Sequence, residues 1–89
     1  MRDPNKLSGR ELLLISRMLI LQGQINNAMI SVKAYEDPES KTKFMVSEHE
    51  YGSAKAIIEL NRNTIHENLR GQRKPVLDAF KRAKALLPK

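Results

Sequence analysis

The sequence has no cysteine and no tryptophan, and only two Tyr and two Phe among 89 residues. Without thiols there can be no disulfide, thiolate metal site or cysteine nucleophile, and the composition fits a reducing, cytoplasmic setting. With 4% aromatic residues, little is available for the base-stacking platforms of single-strand binders. The four glycines, Gly9, Gly23, Gly52 and Gly71, stand apart, so no glycine-rich phosphate loop can form. Long hydrophobic runs are missing too. Eight of the ten residues from Leu12 to Leu21 are apolar, but Arg17 interrupts them and Gln22-Gly23-Gln24 closes the run. A membrane span needs about 20 such residues. A leader peptide is no better a reading, because Asp3 and Glu11 precede the run and no small-x-small cleavage site follows it.

What is present is charge, and it is segregated. Residues 1–69 carry nine basic and nine acidic groups, which cancel, while residues 70–89 carry seven basic groups against Asp78 alone. The whole formal net charge of +6 therefore lies in the last 20 residues. At this length one domain is expected, and such a chain buries only about 60–65% of its unfolded surface, which favours completion of the core by a second copy.

Two helix starts are written in the same grammar. In Leu7-Ser8-Gly9-Arg10-Glu11-Leu12 and in Val46-Ser47-Glu48-His49-Glu50-Tyr51, a serine is followed three residues later by a glutamate, with apolar residues outside the pair. Each reads as a capping box within a hydrophobic staple, so helices should begin just after Ser8 and Ser47. The first should stop near Tyr35, because Asp37 precedes Pro38 and is pushed out of helical geometry. The second should stop near Arg70, with Gly71 as its left-handed terminator. Pro75 suits the first turn of a third helix ending near Leu87, before Pro88. The expected fold is all-α: a long antiparallel hairpin (about 9–35 and 48–70) plus a short C-terminal helix (about 75–87), completed as a dimeric helical bundle. Residues 1–6 read as a flexible N-terminus and residues 36–46 as a connection, in which a short strand or extra helical turn could hide.

Apolar spacing supports this. Leu14, Met18, Leu21, Ile25, Ala28, Val32 and Tyr35 recur at alternating intervals of four and three, a coiled-coil-like seam. Leu12, Ile15, Leu19 and Ile30 form a second stripe, and Leu13 and Ile20 point a third way, so the first helix needs more than one neighbour. Gly23 costs up to about 1 kcal/mol relative to Ala and marks a site for a kink or break. Along the second helix, Tyr51, Ala54, Ile58, Ile65 and Leu69 form a stripe interrupted at Asn61, a register-setting polar residue. The expected oligomer or helix-packing interface is thus Leu14, Met18, Leu21 and Ile25 with Ile58, Asn61, Ile65 and Leu69.

No constellation names a reaction. His49-Glu50 and His66-Glu67 do not extend to His-Glu-x-x-His, and 17 residues of helix would set the two imidazoles about 25 Å apart. No enzyme, metal or cofactor is expected. The candidate site is the basic segment: Arg70, Arg73, Lys74, Lys81, Arg82 and Lys84, in a turn followed by an amphipathic helix whose apolar side is Val76, Phe80, Ala83 and Leu87. The turn resembles a helix-turn-helix only loosely, since the preceding helix is far too long. Phosphate-backbone contact needs no such motif. The expectation is a small non-enzymatic homodimeric regulator that contacts DNA or RNA through the basic loop and last helix. The alternative is a protein-interaction module docking through exposed helix faces, with an acidic protein as partner.

Overall fold

Ser8 starts the first helix as its residues demand. Its Oγ accepts from the amide of Glu11 at 3.1 Å while its own amide donates to the Glu11 carboxylate at 2.9 Å, so two amides left open by the helix start are satisfied reciprocally. The computed structural model describes residues 6–40 and 45–88; apart from Lys6, the expected flexible N-terminus lies outside these residues, as do residues 41–44 of the connection. Three helices make up the fold: α1 (Gly9–Glu36), α2 (Glu48–Leu69) and α3 (Lys74–Ala85).

Helix α1 runs unbroken through Gly23, and Asp37, held extended before Pro38, ends it. The second capping box is only half made: Ser47 Oγ accepts from the Glu50 amide at 3.1 Å, without the return bond found at Ser8. Gly71 adopts φ +82°, the left-handed geometry expected between α2 and α3. Helix α3 ends at Ala85 rather than Leu87. The reason is local: Leu87 precedes Pro88, whose ring disfavours helical geometry in the residue before it.

Helices α1 and α2 form the antiparallel hairpin. At its closed end the Tyr35 and Tyr51 rings stack at 4.3 Å, the Tyr51 hydroxyl donates to the Glu36 carboxylate, and Lys55 Nζ lies 5.2 Å from the Tyr51 ring. Midway, buried Asn61 donates from Nδ2 to the Leu21 carbonyl at 3.2 Å and to Gln24 Oε1 at 2.9 Å, which sets the register of α2 on α1. Helix α3 then runs parallel to the first half of α1. Arg73 at its start binds Glu11, and the Pro88 carbonyl beyond its end accepts from Asn26 Nδ2 at 3.1 Å.

The core lies where the three helices meet: Ile15, Met18 and Ile25 of α1, Ile65 of α2, and Val76 and Phe80 of α3. Leu14, Leu21, Ile58 and Leu69 pack around it, half-buried. All eight residues expected at a helix-packing interface are therefore used within the chain, and α3 covers the Ile15–Leu19 side of α1. Leu12, Leu13, Ile20 and Ile30 stay more than half exposed. The molecule is a rod of 58 × 21 × 16 Å with a radius of gyration of 16.2 Å, against about 12 Å for a compact chain of this length.

Because Ile25 is 1% exposed and touches the common core, Ile25→Ala should cost about 2–5 kcal/mol in urea unfolding followed by circular dichroism. Leu86→Ala, at a side chain that is 86% exposed, should stay within about 0.5 kcal/mol of the native chain.

Candidate anion-binding groove

Helices α2 and α3 both rest on α1 but barely meet each other. The gap between them is an open groove of about 620 Å³. Its floor is apolar, formed by Ile65 and Leu69 from α2 and Leu77 and Phe80 from α3. Its rim is basic: Arg62, His66 and Arg70 on one side, Lys81 and Lys84 on the other. Among the described residues no carboxylate lines it. The rim follows from helical spacing. Arg62, His66 and Arg70 recur every four residues along one side of α2, and Lys81 and Lys84 flank Leu77 on the side of α3 facing them. All five side chains are exposed. Cations facing one another across a low-polarity floor concentrate positive potential in the gap, where an anion relieves it.

The basic residues singled out by sequence thus divide. Arg70, Lys81 and Lys84 are brought together at the rim. Lys74 lies two turns before Lys81 on the same side of α3, exposed and in line with the groove. Arg82 is turned about 100° from Lys81 and does not line it. Arg73 is engaged elsewhere: its Nε and Nη2 bind the two Glu11 carboxylate oxygens at 2.9 and 2.8 Å, and Nη2 also donates to the Lys6 carbonyl at 3.1 Å. This fork matches guanidinium to carboxylate, so the charge of Arg73 is answered by Glu11 instead of standing open to a ligand. Arg62 and His66 were not among the basic residues singled out by sequence, because residues 1–69 balance in charge and His66 was weighed only with Glu67 as a metal or acid–base pair. The signal was the four-residue spacing from Arg62 through His66 to Arg70.

Glu11 serves two partners with one carboxylate, the Ser8 amide and Arg73. The Arg73 hydrogen bonds, with the Ser8 amide second, lower its pKa from 4.5 to about 2. The same pair raises that of Arg73. His49 and His66 are both exposed, and the described residues contain no cluster of three His, Cys, Asp or Glu able to hold a metal. No helix among them is long and apolar enough to cross a membrane.

The sign of the Glu11 effect follows from linkage. A carboxylate whose pKa is depressed on folding contributes stability above its unfolded value near 4.5, and this is lost as pH falls toward about 2. In urea melts the native chain should exceed Glu11→Gln in stability at pH 6, and the gap should close progressively between pH 4.5 and 2. A gap independent of pH would remove the ion pair from this account.

No protein-family model, curated protein or solved structure matches this chain, and what the groove receives is therefore a question of its own chemistry.

Proposed function

We propose that this protein is a small non-enzymatic regulatory module, working in the cytoplasm, that contacts nucleic acid through the rim of the α2–α3 groove and the adjoining side of α3. One observation carries the reading: Arg62, Arg70, Lys81 and Lys84 surround one groove with no carboxylate among the described residues of its lining. Lys74 extends the same side of α3. Basic side chains set along a line at helical spacing suit successive backbone phosphates, which orient a nucleic acid without reading its bases. The scarcity of aromatic residues in the chain and the burial of Phe80 favour backbone contact over base stacking. Two copies would carry the rim twice.

A second reading is favoured by the apolar floor. Ile65, Leu69, Leu77 and Phe80 between two basic edges also fit an acidic amphipathic helix from a protein partner, its apolar stripe down and its carboxylates against the rim. The two readings ask different things of the floor.

Five phosphate contacts imply that log affinity falls against log salt with a slope of about −4.5, or about 500-fold between 50 and 200 mM. Fluorescence anisotropy with labelled duplex and single-stranded oligonucleotides measures this. Lys81→Glu with Lys84→Glu should abolish binding, and Arg82→Glu, off the rim, should retain most of it. Leu77→Ser should leave nucleic-acid affinity unchanged and weaken an acidic helical partner. A flat salt response, or no binding at 50 mM, would sink the nucleic-acid reading.

A further inference from the structure

Opposite its core, α1 carries a second seam that lies open among the described residues. Leu13, Ser16, Ile20, Gly23, Asn27, Ile30 and Ala34 recur at intervals of three and four and fall within an arc of about 100° at 100° per residue. None is charged, in a chain that is 29% charged. A helix face left to solvent carries charged and polar residues. This one instead shows Leu13, Ile20 and Ile30, which are 51%, 62% and 56% exposed.

Gly23 sharpens the point. It lies inside an unbroken helix without a positive φ, and a Cβ placed there would meet nothing within 4 Å. Neither backbone geometry nor packing among the described residues requires a glycine, yet it weakens α1 relative to Ala. A second helix crossing close to the backbone accounts for it. Gly23 is ten residues from Leu13 and eleven from Ala34, so it marks the middle of the seam. We infer that this face binds a second copy of the chain, α1 against α1, antiparallel about a two-fold axis beside Gly23.

Area and shape both point to a copy of the chain as the occupant. The chain exposes 7105 Å², while a compact monomer of its mass exposes about 5,300 Å². The difference, about 1,800 Å², is spread over a molecule 58 Å long and leaves room along it for the roughly 800 Å² that each partner of a stable dimer buries. Antiparallel pairing about Gly23 sets the large Leu13 and Ile30 of each copy against the small Ala34 and Ser16 of the other and opposes the helix dipoles. Parallel pairing would align like with like. The mid-seam glycine lets the backbones approach at the axis, a self-complementary surface of the kind a two-fold contact requires. On α2, Ile57 and Leu60, 41% and 66% exposed, adjoin Asn61 and widen the face.

This dimer does not rest on the groove, and the two ideas fail separately. Light scattering on the full chain should give about 20 kDa, twice the 10.2 kDa of one copy. Since the chain has no cysteine, the Gly23→Cys chain should form a disulfide-linked dimer on mild oxidation, and Lys81→Cys, on α3, should not. Ile20→Glu should weaken self-association at least a hundredfold with unchanged helicity by circular dichroism, as its parent side chain is outside the core. A monomer at 100 µM overturns the inference even if it still binds nucleic acid or captures another protein. So does a dimer that ignores Ile20→Glu and fails to cross-link through Gly23→Cys, or an assembly larger than two.

Discussion

Everything in this fold depends on α1, the one helix against which both others pack. Helices α2 and α3 hardly touch, so their separation is set by where each lies on α1. Asn61 pins α2 through the Leu21 carbonyl and Gln24, while Arg73 pins the start of α3 through Glu11. The groove between them is a consequence of these two attachments. It stays open because α3, at 12 residues against 28 for α1, offers a narrow apolar face that Ile15 and its neighbours already occupy.

The Glu11–Arg73 pair links two parts of the molecule that look independent along the chain. Glu11 belongs to the capping box of α1, and Arg73 is the residue from which α3 departs. Their bond holds the basic helix in place while withdrawing one cation from the exposed set. The pair is partly open to solvent, with side-chain exposures of 46% for Arg73 and 17% for Glu11, so its weight in stability is tempered by screening. Its geometric effect is the larger one, since the two-pronged fork fixes direction as well as distance.

Local grammar made much of the architecture legible. Ser8 and Ser47 predicted both long-helix starts, Asp37 before Pro38 the end of the first, and Gly71 the left-handed turn, because each acts on the backbone within a few residues. The same scale explains the smaller departures. The Ser47 box closes in one direction only, and α3 stops two residues early under the influence of Pro88. The surplus of apolar residues in the first helix was also readable, as was the need for more than one neighbour. Which stripe α3 takes was not, since Ile15 and Ile20 are equally hydrophobic and only the path of the chain after Gly71 distinguishes them.

The sequence by itself determined three helices, their approximate limits and a positive charge confined to the last 20 residues, because capping, proline sterics and charge are local or additive. Tertiary structure alone decided which cations share a surface. Glu11 and Arg73 are 62 residues apart, and Arg62 and Lys84 come from different helices. No spacing rule relates such pairs until α1 brings them together. The same packing separates the α1 face that makes the core from the uncharged face left open behind it, a distinction that hydrophobic periodicity cannot make.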